Sequence, residues 1–182
     1  MKILLFNENS RVVSDSQKAI HEQLSQELTS LGHSITSIST SDGKYSKCTG
    51  CWSCWLKTPG ACAINDSQIP FLKEVIKSDL VIMFSPVRRG FISAQLKTCI
   101  DRLIPMSLPY FRVKDGQFSH ILRYEKSPDL ALLLEFETDK DKDNEVIISD
   151  WINRYCWHTD AQCRFVLDIN SQPVPEVLKL LN

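Results

Sequence analysis

The chain has 182 residues, 43% of them hydrophobic and 24% charged, which is typical of a globular domain with its own core. The formal net charge of −1 argues against nucleic-acid binding, and no apolar run reaches the roughly 18 residues of a membrane span. The apolar start of the chain ends at Asn7, too soon for an export signal, and the seven cysteines are an odd number. We therefore expect a cytoplasmic protein whose thiols are free or metal-bound.

Apolar periodicity predicts strands and helices that alternate along the chain. Strands are predicted at residues 2–6, 34–38, 80–84, 130–136 and 164–169. Helices are predicted at about 15–31, after a cap at Asp66, after a cap at Ser93, at about 145–159 and at 173–181. This alternation is typical of an α/β fold, in which helices cover both faces of a doubly wound parallel sheet.

Five parallel strands fit the flavodoxin-like order 2-1-3-4-5, so we predict a single flavodoxin-like domain over residues 1–182. Two segments interrupt the alternation, namely a cysteine-rich arm at about 40–66 and an aromatic and basic insertion at about 105–128. An insertion of this length in a compact domain is often a lid or an interface. We expect it to close over a ligand or to contact a second subunit.

The strand order also predicts where a ligand binds. Ligands of such sheets lie outside the carboxyl ends of the strands where the order reverses, here between strands one and three. Strand one leads into the polar loop 7–16, whose hydroxyls, arginine and free amides suit a phosphate; the alternative is a capped helix start without a ligand. After strand three, Pro86 stiffens the chain and Gly90 permits close approach to a flat ligand. Arg88 and Arg89 either direct positive charge at this crevice or are solvated surface residues.

Four cysteines of the arm, Cys48, Cys51, Cys54 and Cys62, fall within fifteen residues. Because strand two leads into the arm, topology predicts that these thiols lie at the same edge of the sheet as the ligand. A compact triplet with a more distant fourth thiol is typical of a four-iron, four-sulfur cluster. Zinc sites more often combine two separated pairs, and a redox dithiol of Cys51 and Cys54 is a third possibility. Cys99 lies on the apolar stripe of its helix and is predicted to be a core residue.

Two long motifs resemble the iron–sulfur flavoprotein branch of the NADPH-dependent FMN reductase family. The first is the cysteine run from Cys48 to Asp66, and the second extends from Ser85 to Arg102. The loop at residues 11–16 is similar to the family's phosphate loop, with Asp15 in place of the usual asparagine. The likeness covers roughly residues 2–104, and beyond residue 105 it depends on the strand–helix rhythm alone.

The resemblance implies bound FMN, a NADPH or NADH electron donor and a homodimer or homotetramer. By position, it implies that the FMN phosphate is held by Ser10, Arg11, Ser14 and Ser16. It implies that the isoalloxazine ring is lined by Pro86, Val87 and Gly90, with Arg88 where the family has an aromatic residue. It implies that the ligands of a four-iron, four-sulfur cluster are Cys48, Cys51, Cys54 and Cys62.

These inferences predict an FMN-dependent oxidoreductase or electron-transfer flavoprotein. Its electrons would pass to a small-molecule acceptor or to a redox protein, and the cofactor rather than a side chain would carry the chemistry. The alternative is a flavin-poor scaffold in which Asp15 and Arg88 have abolished flavin binding. In that case the cysteine arm binds zinc or keeps free thiols that dock a protein.

Overall fold

The computed structural model describes residues 1–7, 14–39, 45–136 and 142–181. The strands in these ranges are β1 (Lys2–Asn7), β2 (Ser34–Ser39), β3 (Leu80–Arg88), β4 (Phe91–Ile92), β5 (Ser107–Lys114), β6 (Gln117–Leu122), β7 (Asp129–Glu135) and β8 (Cys163–Asp168). The α-helices are α1 (Asp15–Ser30), α2 (Ser53–Leu56), α3 (Ile69–Lys77), α4 (Ala94–Asp101), α5 (Lys142–His158) and α6 (Val174–Leu181). Short 3₁₀ turns occupy Ile104–Met106 and Ile169–Ser171.

Within the described ranges, five strands form a parallel sheet in the order β2-β1-β3-β7-β8. This confirms the predicted α/β class, with β7 and β8 as the fourth and fifth strands of the flavodoxin-like order. Two features extend that order. The short β4 pairs antiparallel with β3, and β5 and β6 form a separate antiparallel hairpin within the predicted insertion. The assignment of all 182 residues to one domain stays a prediction.

Side chains alternate across the strands and fill two cores, one on each face of the sheet. On one face, Leu4 and Phe6 of β1 lie in a core that α3, α4 and α5 cover. On the other face, Ile3 and Leu5 lie in a core that α1 and α6 cover. The helical layer of α3, α4 and α5 is the one on which the cysteine arm packs, because Cys62 contacts that core.

Strand β3 is longer than predicted, and its extension shapes the ligand edge. The apolar run predicts that this strand ends at Phe84, two residues before Pro86. In the structure Phe84 is level with Asn7 at the end of β1, and β3 continues to Arg88. Pro86 pairs with Glu135 of β7, and Val87 pairs with Ile92 of β4. The tip of β3 therefore projects beyond the carboxyl end of β1.

Two predicted helix caps have different outcomes. Ser93 caps α4 as predicted, since its hydroxyl accepts a hydrogen bond from the Leu96 amide. The prediction that Asp66 caps α3 is wrong, because the N-cap is Gln68.

Cys99 is fully buried, which confirms its prediction as a core residue. In the described part of the chain, no helix is both long and apolar enough to cross a bilayer.

Candidate functional site at the carboxyl edge and the cysteine loop

The start of α1 is the described part of the predicted phosphate site; Ser10 and Arg11 lie outside the described residues. The Ser14 hydroxyl caps α1 by accepting a hydrogen bond from the Gln17 amide at 3.0 Å. The Gln17 side chain is buried and donates to the Asn7 side-chain oxygen at 2.7 Å, which ties the end of β1 to the start of α1. Ser16 is exposed and lines a cleft of about 490 Å³ between α1 and the turn before α6.

These residues fit a phosphate. The hydroxyl groups of Ser14 and Ser16 lie in the first turn of a 16-residue helix, whose free amides and positive dipole end favour an anion. Asp15 does not oppose this fit strongly, because its carboxylate pairs with Lys18 at 3.2 Å and is fully exposed. The start of α1 can therefore still bind an anion, although Asp15 stands where the family has an asparagine.

The tip of β3 is the second part of the predicted flavin site. Pro86 and Val87 are buried, and Val87 belongs to the core that α3, α4 and α5 cover, so the predicted contact of their side chains with a flavin ring stays a prediction. Arg88 is exposed. Gly90 has φ of +80°, and a β-carbon there would lie 2.7 Å from the Asn144 side-chain oxygen of α5. The close approach that Gly90 permits is thus an approach to helix α5, and its predicted contact with a flavin ring stays a prediction.

Ser85 fixes the shape of this tip. Its buried hydroxyl accepts a hydrogen bond from the Ser93 amide at 3.0 Å and donates to the Pro86 carbonyl at 3.0 Å. These bonds join the carboxyl end of strand β3 to the start of helix α4. The Ser85 hydroxyl therefore fixes the end of β3 relative to the start of α4, and the predicted role of residues 86–90 in binding a ring stays a prediction.

The four predicted metal ligands lie around one small cavity. Cys48 and Cys51 are exposed, Cys54 and Cys62 are half-buried, and all four line a cavity of about 20 Å³ with Arg102. A cavity of that size has room for about one water molecule between the thiols as they are arranged. Within the described residues, no three His, Cys, Asp or Glu side chains converge to hold a metal ion.

The thiols of this loop differ in acidity. Hydrogen bonds from the side chain and backbone of Ser53 lower the pKa of the exposed Cys51 thiol. Burial, together with the nearby thiol of Cys62, raises the pKa of Cys54. The loop therefore presents the more acidic of these two thiols to solvent at Cys51 and keeps the less acidic one half-buried at Cys54.

A buried arginine holds the cysteine loop against the fold. The Arg102 side chain has no exposed surface, and its guanidinium pairs with Asp66 at 2.6 Å. It also donates to the carbonyls of Ser46 and Ile64 and to the Cys62 sulfur at 3.4 Å. Burial is the largest single influence and disfavours both charged forms. Hydrogen bonds and charge attraction together outweigh it, from Arg102, Ser46 and Gln68 on Asp66 and from Asp66 and Cys62 on Arg102, so the pKa of Asp66 is lowered and the pKa of Arg102 is raised. The ion pair thus anchors both ends of the loop.

Sequence reasoning missed Arg102, although a signal for it was present. Arg102 follows Cys99 by three residues, so it falls on the apolar stripe of α4. A buried cation needs an acidic partner, because an unpaired charge is costly to bury. Asp66, just before the neighbouring helix α3, is a candidate for that partner. The rings of Trp52 and Trp55 also stack beside the thiols, and Trp55 contacts His120 of the β5–β6 hairpin, which no pattern in the sequence predicts.

The flavin edge and the cysteine loop lie at different ends of α5. Asn144 in the first turn contacts Gly90, whereas Tyr155 and His158 near the last turn share a cleft of about 470 Å³ with Cys48. Eleven residues separate Asn144 from Tyr155, which corresponds to about 16 Å along the helix. The expectation that the thiols lie beside the ring is therefore not met within one chain, because the arm turns away from the edge and packs along the helical layer.

The sequence and structure resemble known flavoproteins. A sequence model of the NADPH-dependent FMN reductase family matches residues 1–117. An iron-sulfur flavoprotein of Archaeoglobus fulgidus is 38% identical over 80 residues, which is 44% of this chain and 36% of that protein. An iron-sulfur flavoprotein of Methanocaldococcus jannaschii is 31% identical over 110 residues, 60% of this chain and 55% of that protein. The chain thus spans about a third to about half the length of these curated relatives.

Two solved structures share the fold. A putative quinone reductase from Klebsiella pneumoniae superposes with a TM-score of 0.65 at 14% identity, covering 100% of this chain and 85% of that one. An FMN-dependent NADH-azoreductase from Bacillus anthracis, in complex with FMN, superposes with a TM-score of 0.61 at 14% identity, covering 98% and 93%. At such low identity the likeness establishes the flavodoxin-like fold.

Proposed function

The chain belongs to the NADPH-dependent FMN reductase family, and from that premise we propose that it is an FMN-dependent oxidoreductase. Electrons would enter from NADPH or NADH and leave to a small-molecule acceptor or a redox protein. The family match over residues 1–117 carries the proposal, since it spans both predicted flavin-binding segments. The curated relatives named iron-sulfur flavoproteins support the same class.

The residues divide the work of holding the cofactor. Ser14 and Ser16 at the start of α1 would donate hydrogen bonds to the phosphate, together with Ser10 and Arg11. The backbone of 86–90, fixed by Ser85, would orient the ring. Bound FMN would supply the electron-transfer chemistry. The exposed Arg88 would add positive charge near the ring and so favour a reduced, anionic flavin.

The cysteine loop remains a separate part of the proposal. Relatives named iron-sulfur flavoproteins support a four-iron, four-sulfur cluster on Cys48, Cys51, Cys54 and Cys62, whereas no three metal-binding side chains converge within the described residues. Seven free thiols in the described part of the chain favour a reducing compartment, and we propose the cytoplasm.

FMN titration of the purified protein, followed by NADPH oxidation with a quinone acceptor, tests the function. The double variant Ser14→Ala/Ser16→Ala should raise the FMN dissociation constant about 100-fold, because each hydrogen bond to a charged phosphate contributes about 1.5–3 kcal/mol. Ser25→Ala/Ser30→Ala on the same helix is the matched control and should bind FMN normally. Equal FMN affinity in both double variants would remove the phosphate assignment.

A wild-type protein that neither binds FMN nor oxidises NADPH would overturn the proposed function and favour the scaffold alternative. The Ser14 variant also loses a helix cap, which costs about 1 kcal/mol of folding stability. Thermal unfolding of each variant separates that loss from a loss of FMN binding, because a cap defect lowers the melting temperature in the absence of FMN as well.

A further inference from the structure

Two cysteines outside the cysteine loop lie together at the amino end of the sheet. Cys156 is in the last turn of α5, and Cys163 is the first residue of β8. Cys156 is part of the core that α3, α4 and α5 cover, and Cys163 packs against the same core. Cys163 is level with Leu130 near the start of β7, so the pair lies at the end of the sheet opposite to the predicted flavin edge.

The turn between α5 and β8 fixes the two cysteines relative to each other. The Ala161 amide donates a hydrogen bond to the Cys156 carbonyl at 3.0 Å. The Gln162 carbonyl accepts a hydrogen bond of 2.9 Å from the Leu130 amide of β7. These bonds hold the chain just before Cys163 against both α5 and β7, so the backbone keeps the two cysteines next to each other.

The two thiols share a hydrogen bond, in which Cys156 donates and Cys163 accepts. This bond, together with burial, raises the pKa of Cys156. The same bond, together with a hydrogen bond to the Phe165 backbone, outweighs burial and lowers the pKa of Cys163. The pair therefore combines an acidic thiol at Cys163 with a neutral thiol in contact with it at Cys156.

A cleft brings solvent to this pair. Cys156 and Cys163 line a cleft of about 550 Å³, together with the ion pair of Lys114 and Asp160. Cys163 is half-buried, whereas Cys156 is only 2% exposed. A small molecule in the cleft therefore reaches the sulfur of Cys163 before that of Cys156.

We propose that Cys156 and Cys163 are a dithiol site that hydrogen peroxide or an organic hydroperoxide oxidises to a reversible disulfide. Such a reaction needs an acidic, accessible thiol and a second thiol next to it that resolves the first product. Cys163 provides the first and Cys156 the second. The S–S bond of about 2.0 Å requires a closer approach of two sulfurs that already share a hydrogen bond.

The oxidation takes place in two balanced steps. The Cys163 thiolate attacks one peroxide oxygen, the O–O bond breaks, and a sulfenic acid forms while the other oxygen leaves and takes up the proton that Cys163 released. The Cys156 sulfur then attacks the sulfenic sulfur, the S–O bond breaks, and the departing hydroxyl leaves as water with the Cys156 proton. The two thiols together lose two electrons, which the peroxide accepts.

A reducing compartment is compatible with this site. Cytoplasmic disulfides are usually transient and often redox-sensing, and a dithiol reductant would return this one to two thiols. The pair lies away from the predicted phosphate and ring segments, and neither FMN nor NADPH takes part in its oxidation. A failure of this inference is therefore distinguishable from a failure of the proposed function.

Peptide mass spectrometry of the full chain tests the site, because trypsin cleaves after Arg154 and Arg164 and releases both cysteines in the single peptide 155–164. The reduced protein is freed of reductant, treated with hydrogen peroxide without NADPH, and then unfolded in N-ethylmaleimide and digested. Before peroxide treatment the peptide should take up two maleimides. After it, the peptide should take up none and should lack two hydrogens, and dithiothreitol should restore both maleimide sites.

Single variants separate the roles of the two thiols. In Cys156→Ala, dimedone, which labels sulfenic acids, should label Cys163 at least about 10-fold more than in the wild type, since no thiol removes the sulfenic acid. In Cys163→Ser, Cys156 should stay unlabelled. Cys51→Ser removes the acidic thiol of the cysteine loop and is the matched control, which should form the disulfide as the wild type does. Circular dichroism checks that each variant folds.

A wild-type peptide that keeps both maleimides after peroxide treatment would overturn the proposal. So would a loss of maleimide sites that dithiothreitol does not reverse, because it indicates sulfinic acid instead of a disulfide. Dimedone labelling of Cys156 in place of Cys163 would overturn the assignment of the two roles, and a Cys51→Ser chain without the disulfide would show that the pair is not oxidised directly. The wild-type measurements decide the proposal even if a variant does not fold.

Discussion

Replacing Asp66 by asparagine should destabilise the fold far more than breaking an ion pair at the surface. Asp66→Asn preserves the shape of the side chain but leaves the Arg102 cation, which has no exposed surface, without its counter-charge. Removing one partner of a buried ion pair typically costs about 3–5 kcal/mol. Because Arg102 keeps its hydrogen bonds to two carbonyls, we expect a loss near the lower end, about 3 kcal/mol.

The matched control is Asp101→Asn. Asp101 pairs with Lys97 on the same helix, and both side chains are exposed to solvent by a third or more. Exposed pairs of this kind contribute about 0.3–0.5 kcal/mol. Urea unfolding at neutral pH, followed by circular dichroism, should therefore separate the two variants by about 2 kcal/mol or more. The double variant Asp66→Asn/Arg102→Met should be more stable than the sum of its single losses predicts, because it removes the unpaired charge.

The effect of Asp66 should also depend on pH. The pKa of Asp66 is lowered in the folded state, so its ion pair contributes stability above the unfolded-state pKa of about 3.9, and that stability is lost as the pH falls through the lower folded-state pKa. The difference between wild type and Asp66→Asn should shrink on acidification. A loss below about 1 kcal/mol at neutral pH, or a difference that does not change with pH, would refute the assignment of Asp66 and Arg102 as the loop anchor.

Two further predictions concern the thiols and the β3–β4 tip. Cys51 should be alkylated by iodoacetamide at a lower pH than Cys54, since hydrogen bonds lower the pKa of the first thiol and burial raises that of the second; peptide mass spectrometry over a pH series checks the order, and the reverse order would contradict it. Gly90→Ala should cost about 1 kcal/mol more than Gly116→Ala in thermal unfolding. Both glycines have positive φ, but a β-carbon at Gly90 meets Asn144 at 2.7 Å whereas none of the described atoms lies within 4 Å at Gly116; equal losses would disprove the contact.

The sheet was predictable because its strands are apolar on both faces and its helices carry local apolar stripes. Leu80 to Phe84 is a continuous apolar run, as expected for a strand that helices cover on both sides. The end of β3 is predicted too early, because pairing with neighbouring strands continues the strand past Pro86. Pro86 lacks a backbone donor and is typical of a strand end, yet it pairs with Glu135 of β7, and the next residue, Val87, pairs with Ile92 of β4.

The position of the cysteine loop was less predictable, because contacts distant in sequence determine it. The chain direction at the end of β2 predicts only where the arm begins. Where the arm goes is decided by the ion pair of Arg102 with Asp66, 36 residues apart, and by the bond from Trp55 to Ser107, 52 residues apart. The periodicity of α4 marks Arg102 as a buried cation, but no spacing in the sequence determines which acid or carbonyl it reaches. The motif therefore identified the thiols correctly as a group and gave no reliable position for that group relative to the flavin edge.

The separation of the two sites restricts what the thiols can do. A direct covalent exchange between a thiol and another reacting group needs the two atoms about 3–3.5 Å apart. Gly90 contacts the first turn of α5, whereas Cys48 shares a cleft with Tyr155 near its other end, about 16 Å further along the helix. A thiol pair that reacts directly with a ring bound at the β3 tip is thus incompatible with this arrangement in one chain. The geometry instead favours a loop whose chemistry is set locally, by the Ser53 hydrogen bonds that lower the pKa of Cys51 and by the stacked rings of Trp52 and Trp55 next to it.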